Sequence, residues 1–251
     1  MYKLEICTSS LVSAVHAEQG RADRVEVCEN LAVGGVTPSV EFVKEVLAKT
    51  KIEAHILIRP RSGDFVFSNK EIDQMLLSVH AFKEMGVKGV VIGALDRYAN
   101  LDLSAIKALM QAAEGLQITF HRALDISSEP GKLLKKLVDF GFNRVLTSGQ
   151  QPTALEGIRL LEEMQNQVGN HIDIMAGGGV NSANIQQIAI ETGLKNFHSS
   201  ARKSKASGSL LLKDQFGISI KPPDVEKSED ADLEEVKGMS HFCKSHGTSN
   251  R

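Results

Sequence analysis

Two short segments of the sequence each place a glutamate and a cysteine two residues apart. Glu5 and Cys7 stand in LEIC, and Glu26 and Cys28 stand in VEVC. Cu(I) is a soft ion that prefers thiolate ligands, and a carboxylate whose pKa is shifted by its neighbours can transfer protons. If the segments are neighbouring strands, about 4.8 Å apart, both sulfur atoms could reach one ion. The cysteines could equally fill the interior as small hydrophobic residues.

Three arginines indicate a second kind of chemistry. Arg59 and Arg61 bracket a proline in IRPRSGDF, and Arg122 stands in TFHRALD. A guanidinium group holds a carboxylate or a phosphate through two parallel hydrogen bonds, so these residues are candidate anion ligands. Asp64 could orient Arg61 at the same site. The alternative is a salt-bridge network or a solvated turn with a structural role alone.

His121 is the best candidate for a general acid or base. An imidazole titrates near neutral pH, and a carboxylate such as Asp125 or Glu26 could orient it. Glu5 and Glu26 are further candidates for proton transfer, because a carboxylate beside an arginine is either its ionic partner or has a shifted pKa. These residue types together are typical of an enzyme site.

A glycine run and two serines indicate a phosphate cradle. Gly177, Gly178 and Gly179 are consecutive, Ser199 lies 20 residues further on, and Ser148 ends the run RVLTS. Backbone N–H groups in such loops can hold a phosphate. Glycine is also required in tight turns for purely structural reasons, so the run by itself does not decide the point.

Length and charge exclude several classes of protein. The 251 residues are 42% hydrophobic, which is enough for one large domain with a sizeable core, and the formal net charge is −2. Neither the charge nor any run of like charges suggests a nucleic acid or a membrane surface as partner. Three cysteines are too few for a disulfide scaffold, and the N-terminus has no signal-peptide pattern, so we expect free thiols and a cytoplasmic location.

The candidate residues must be positioned by a repeating pattern of elements. Short apolar runs alternate with amphipathic segments, which predicts an α/β fold, a single-domain (β/α)8 barrel of the TIM type, rather than an open sheet. An open sheet would be favoured by a glycine-rich phosphate loop after the first strand, and CTSSLVSA has none. The eight predicted strands begin at Leu4, Arg24, His55, Gly89, Gln117, Arg144, Ile172 and Asn196.

The predicted barrel comprises residues 1–203 and 231–247. Residues 204–230 are expected to form an irregular excursion before a last helix that runs roughly from Asp232 to Cys243, and residues 248–251 a frayed tail. Ser68 with Glu71 forms a capping box, and Thr37 followed by a proline is a predicted helix start. In such a barrel the functional site lies at the C-terminal ends of the strands, so all the candidate residues are expected at one rim.

The sequence resembles the CutC copper homeostasis family. The segments VEVCENLAVGGVTPS, IRPRSGDFVFS, TFHRALD, RVLTSG and AGGGV carry the resemblance, which extends from about residue 4 to residue 200. The resemblance implies a (β/α)8 barrel, a cytoplasmic location, copper handling and homo-oligomers. It does not bring a well-established reaction with it.

Two functional hypotheses remain open, with a purely structural role as a third. The first is Cu(I) binding by Cys7 and Cys28, in copper homeostasis. The second is an enzyme acting on a small anionic, possibly phosphorylated, metabolite, because three arginines at a rim attract an anion and repel a bare cation. The hypotheses need not exclude each other, since the same positive field would lower the pKa of a thiol.

Overall fold

Eight parallel strands close into a barrel, which confirms the predicted fold. The computed structural model describes residues 1–204 and 227–246. Each strand is hydrogen-bonded to the next, and the eighth to the first. The strands are β1 (Lys3–Thr8), β2 (Arg24–Val27), β3 (Glu53–Leu57), β4 (Gly89–Ile92), β5 (Gln117–Phe120), β6 (Arg144–Thr147), β7 (Asp173–Ala176) and β8 (Asn196–Ser199).

Helices connect the strands and cover the outside of the barrel. Ser68 begins its helix with the predicted capping box. The predicted start at Thr37 was wrong by two residues: Ser39 caps the helix, while the Thr37 hydroxyl accepts a hydrogen bond from the backbone N–H of Arg59. The helices are α1 (Leu11–Gln19), α2 (Val40–Lys49), α3 (Asn69–Glu84), α4 (Leu103–Ala112), α5 (Pro130–Phe140), α6 (Ile158–Val168), α7 (Ile185–Thr192) and α8 (Leu233–Ser245).

Two further strands lie between the barrel and the last helix. Strands β9 (Arg202–Ser204) and β10 (Lys227–Ala231) pair in antiparallel fashion, so the ends of the segment predicted to be irregular are regular strands. The rest of that segment, and the predicted tail 248–251, lie outside the described residues. No helix in the described ranges has the length and apolar character that crossing a membrane would require.

The alternation of side chains along the strands separates two interiors. Leu4 and Ile6 of β1 belong to the large core between strands and helices, as do Val25 and Val27 of β2. Because successive side chains point to opposite faces, the residues between them face the inside of the barrel. The glutamates and cysteines identified from the sequence are therefore directed inward.

Candidate functional site

The two cysteines at the ends of β1 and β2 are in contact. Cys7 is paired in register with Glu26, and Cys28 follows one side-chain repeat later on the same face. Their Sγ atoms are 3.5 Å apart, and both side chains are buried, Cys7 to 7% exposure and Cys28 completely. Both thiols are free. The expectation that the two sulfurs converge therefore agrees with the geometry, whereas their role as metal ligands stays a prediction.

His198 is a site residue that the sequence analysis did not select. Strand β8 pairs with β1 and places His198 opposite Glu5. Its Nδ1 atom lies 2.7 Å from Oε1 of Glu5 and 3.4 Å from Oε2 of Glu26. One ligand atom from each of Cys7, Glu26 and His198 lies within 4.8 Å of the other two. One indication of this role was present in the sequence: His198 lies two residues after the start of NFHSS, on the inward face of the last strand of the barrel.

Arg24 also escaped the sequence analysis, because arginine at a strand start usually faces water. Here it is buried and forms an ion pair with Glu5, and its Nη2 atom lies 3.1 Å from Sδ of Met175. Burial would raise the pKa of Glu5, but Arg24 and then His198 outweigh burial and hold it well below its usual range. Glu5 is thus a fixed anion.

The second carboxylate of the cluster has the opposite electrostatic character. Burial raises the pKa of Glu26 to about 7, because His198 and Arg24 oppose this effect only in part and Glu5 adds to it. Burial also works against the charged form of His198, but contacts with Cys7, Glu26 and Glu5 raise the pKa of this imidazole well above its ordinary value. His198 is therefore an imidazolium held between carboxylates and a thiol.

The expectation that positive charge lowers the thiol pKa is wrong for Cys7. Its hydrogen bond with Cys28, together with burial and the charge of Glu26, raises the pKa of Cys7 well above its usual value. His198 counteracts these effects only partly. The arginines predicted to activate the thiol are not among the main causes of the shift, so the metal-free site holds a neutral Cys7 thiol.

A cavity of about 230 Å³ opens above this cluster at the C-terminal ends of the strands. Cys7, Glu26 and His198 line one part of it, which we call the thiol wall. Arg59, His121 and Arg122 line another part, which we call the donor wall. The loops after β7 and β8 line the cavity as well. The predicted rim is therefore a single cavity with chemically different sides.

His121 lies in the donor wall as a neutral hydrogen-bond donor. Its Nδ1 atom accepts a hydrogen bond from the backbone N–H of Ala123 at 3.2 Å, so the ring proton lies on Nε2, which is buried and has no hydrogen-bond partner among the residues of ranges 1–204 and 227–246. Burial, and then the charge of Arg59, lowers the pKa of His121 to about 3. The predicted acid–base role is thus not favoured by this geometry.

Asp125 does not orient His121, contrary to one of the expectations. Its carboxylate accepts hydrogen bonds from Nε of Arg122, from the Thr147 hydroxyl and from the backbone N–H of Ser148. Nη2 of Arg122 donates in turn to Oγ of Ser148 at 2.7 Å. Asp125 and Ser148 therefore fix Arg122 at the cavity and do not line it themselves.

The two arginines of IRPRSGDF have different positions. Arg59 is buried, donates to the backbone carbonyls of Val33, Gly35 and Gly63, and stacks 4.8 Å from the ring centre of Phe65. Arg61 is half-exposed outside the cavity and pairs there with Asp64 and Glu71. The predicted three-arginine clamp is therefore divided, since only Arg59 and Arg122 reach the cavity, while Arg61 and Asp64 form a solvated turn.

The glycine run contributes backbone to the cavity. Gly178 and Gly179 line it with φ angles of +97° and +73°, which only glycine adopts easily. Gly177 lies against Leu146, where a Cβ would come within 2.4 Å of that side chain. Ser199 lines the cavity too, but its hydroxyl donates to the carbonyl of Val180 at 2.6 Å. The predicted phosphate cradle is thus reduced to two glycines, and its role stays a prediction.

The family model and the relatives of similar sequence indicate the same family. The model of the CutC family matches residues 2–203. A family protein CutC of Pasteurella multocida is 43% identical over 205 residues, covering 82% of this chain and 84% of the relative. A relative of the same name from Bacteroides thetaiotaomicron is 44% identical over 206 residues, covering 81% and 82%.

Solved structures extend the comparison to three dimensions. A crystal structure of a CutC protein from Streptococcus agalactiae is 35% identical, covers 80% of this chain and 99% of its own, and superposes with a TM-score of 0.76. The N-(5'-phosphoribosyl)anthranilate isomerase of Pyrococcus furiosus, at 15% identity and a TM-score of 0.60 over 98% of this chain and 100% of its own, shares the fold alone.

Proposed function

The chain belongs to the CutC family, and from this premise we propose that it binds Cu(I) through Cys7 and Cys28 as part of copper homeostasis. The name of the S. agalactiae relative refers to copper homeostasis. The observation that carries the proposal is the 3.5 Å separation of the two Sγ atoms in a buried site at the base of a cavity. Two thiol groups at such a short distance can coordinate one soft ion together.

The charges around the thiols fit a complex of Cu(I) with two thiolates. Such a complex has a net charge of −1, and a buried charge requires a partner. Glu5 and Arg24 neutralise each other, which leaves the imidazolium of His198, beside Cys7, to balance the complex. Glu26, whose pKa is about 7, is a nearby acceptor for a thiol proton that copper displaces. In this arrangement His198 and Glu26 support the ion without coordinating it.

An anaerobic Cu(I) titration in competition with a chromophoric chelator tests the proposal. Wild type is compared with Cys7→Ser/Cys28→Ser and with Cys243→Ser, a matched control in which the only other cysteine, buried in α8, is changed. We expect one Cu(I) per chain in wild type and in the control, and loss of binding in the double variant. Retention of tight binding by the double variant would remove the two cysteines from the proposal.

The remaining expectations are part of this proposal as well. Copper trafficking in the cytoplasm, homo-oligomers, and the lack of a nucleic-acid or membrane partner stay predictions. Cell fractionation and analytical ultracentrifugation are the measurements that test the location and the oligomeric state. An enzyme acting on a small anionic metabolite stays the alternative, and the donor wall supports an anionic ligand in the cavity.

A further inference from the structure

The two walls of the cavity offer different chemical groups to a ligand. The thiol wall offers sulfur, carboxylate oxygen and an imidazolium, which suit a soft metal or an exchangeable proton. The donor wall offers hydrogen-bond donors and positive charge. A bare Cu(I) ion in the cavity would be repelled by the two guanidinium groups that line it.

His121 is the clearest sign that a ligand belongs at the donor wall. The imidazole is 5% exposed, lines the cavity, and has an Nε2–H group without an acceptor among the residues described. A buried donor without an acceptor costs roughly 1–3 kcal/mol, so such groups are rare unless a ligand or water satisfies them. The N–H of Ala123 fixes the tautomer, and Nε2 can therefore donate but cannot accept.

The arginines of the same wall add positive charge that the protein does not neutralise fully. All three hydrogen bonds of the Arg59 side chain go to neutral carbonyls, and its Nε atom is buried without an acceptor in the described part of the chain. Arg122 uses Nε and Nη2 for Asp125 and Ser148, while Nη1 has no hydrogen bond to any described residue. Phe65 contacts both Arg59 and His121, which places these two side chains next to each other.

We propose that the cavity binds a small thiol that carries a carboxylate, with the carboxylate on the donor wall and the sulfur towards Cys7 and Cys28. Copper then enters as an anionic thiolate complex, which the arginines attract. A carboxylate has two oxygen atoms, which can accept hydrogen bonds from the donor atoms of the donor wall that have no acceptor among the described residues. This inference rests on the proposed Cu(I) function and names the form in which the ion arrives.

The transfer is a ligand exchange without any redox step. The bond between Cu(I) and the thiolate of the ligand breaks, and bonds between Cu(I) and the sulfur atoms of Cys7 and Cys28 form. The proton of the Cys7 thiol goes to the departing thiolate, which leaves as a free thiol, and the proton of the Cys28 thiol goes to the Glu26 carboxylate. Copper remains Cu(I) throughout, and no oxidant or reductant is needed.

The test compares 3-mercaptopropionate with its amide, 3-mercaptopropionamide, which has the same shape without the charge. The initial rate of Cu(I) transfer from each thiol complex to the copper-free protein is measured anaerobically, at equal concentrations of complex that do not saturate the cavity. We expect transfer to wild type to be about ten-fold faster from the complex of the acid, the size of effect that one charge-assisted hydrogen bond gives. The NMR signal of the His121 Nε2 proton should shift with the acid and not with the amide.

Three variants assign the effect to the donor wall. His121→Asn keeps an acceptor for the Ala123 N–H but cannot reach the Nε2 position, so the preference for the acid should be lost. His121→Gln places an amide N–H near that position and should restore part of it. His241→Asn, on the exposed side of α8, should behave as wild type.

The outcomes separate this inference from the copper proposal. Equal rates of Cu(I) transfer from the acid and the amide, while Cu(I) binding still depends on Cys7 and Cys28, would overturn the carboxylate site alone. Retention of the acid preference in His121→Asn would also overturn it. Lack of Cu(I) binding by wild type with either thiol would overturn both proposals.

Discussion

Glu5 and Arg24 form an ion pair that is shielded from solvent almost completely. The side chain of Glu5 is fully buried and that of Arg24 is 5% exposed, and the two residues are register partners on β1 and β2. The same carboxylate also contacts His198 of β8. One buried anion therefore connects three neighbouring strands at the point where the barrel closes.

Removing the charge of Glu5 should destabilise the protein strongly. In Glu5→Gln, Arg24 and His198 lose their common anion inside the barrel, and loss of one partner of a buried pair typically costs about 3–5 kcal/mol. Urea unfolding measures the change in the free energy of unfolding. Glu163→Gln, which removes the carboxylate of the exposed Arg159–Glu163 pair on α6, is the matched control and should change little. If both variants changed the free energy of unfolding by similarly small amounts, the stabilising role of the Glu5–Arg24 ion pair would be refuted.

Glu26 should make the metal-free protein less stable as the pH rises from 5 to 6. In this range the folded carboxyl, with a pKa of about 7, keeps a proton that the unfolded chain has lost. By itself, this carboxyl lowers the free energy of unfolding by up to about 1.4 kcal/mol per pH unit, opposite in sign to the contribution of His121 over the same range. The neighbouring Glu5, whose pKa is lowered, and His198, whose pKa is raised, keep their charges in the folded state across this range.

Comparison with Glu26→Gln isolates this effect. The glutamine variant has no carboxyl proton to release on unfolding, so the slope of its free energy of unfolding against pH should be more positive than that of wild type. Urea unfolding curves at pH 5, 5.5 and 6 provide the measurement. Identical slopes for wild type and variant would show that Glu26 titrates in the folded protein as it does in the unfolded chain.

His121 should remain neutral in the folded protein from pH 5 to pH 8. Burial and Arg59 lower its pKa to about 3, so between pH 3 and 6.5 the unfolded chain binds a proton that the folded protein does not. This residue therefore adds stability as the pH rises through that range. Nitrogen-15 NMR should show one Nε2–H tautomer from pH 5 to pH 8. If the imidazole titrated near pH 6.5, the prediction would be wrong and His121 would again be a candidate general acid or base.

Gly93, directly after β4, should be necessary for the position of His121. A Cβ atom at this residue would lie 2.4 Å from Cε1 of the imidazole, which is too close for any real contact. Gly93→Ala should cost about 1–3 kcal/mol and displace the His121 ring, as judged by its NMR signals. Gly131→Ala on α5, where the nearest atom would be 3.5 Å away, is the control and should be neutral or slightly stabilising. An unshifted His121 signal in Gly93→Ala would contradict the prediction.

Much of the barrel could be predicted because its elements repeat locally. Every predicted strand was found, and the Ser68 capping box begins α3 as expected. The helix start at Thr37 was wrong because two nearby residues, Thr37 and Ser39, can both cap a helix, and the Thr37 hydroxyl accepts a hydrogen bond from the backbone of Arg59 instead. Local signals in the sequence identify a helix or a strand well. They do not show which of several polar side chains will form a hydrogen bond with a neighbouring strand.

The sequence by itself determined that Cys7 and Cys28 face the inside of a barrel, because side chains alternate along a strand with a period of two. Only the tertiary structure decided which groups surround them. Closure of β8 onto β1 brings His198 to Glu5 across 193 positions, and the path of the loop after β3 directs Arg59 into the cavity and Arg61 out of it. The physical reason is that periodicity acts between neighbouring residues, whereas register and closure depend on packing of the whole barrel.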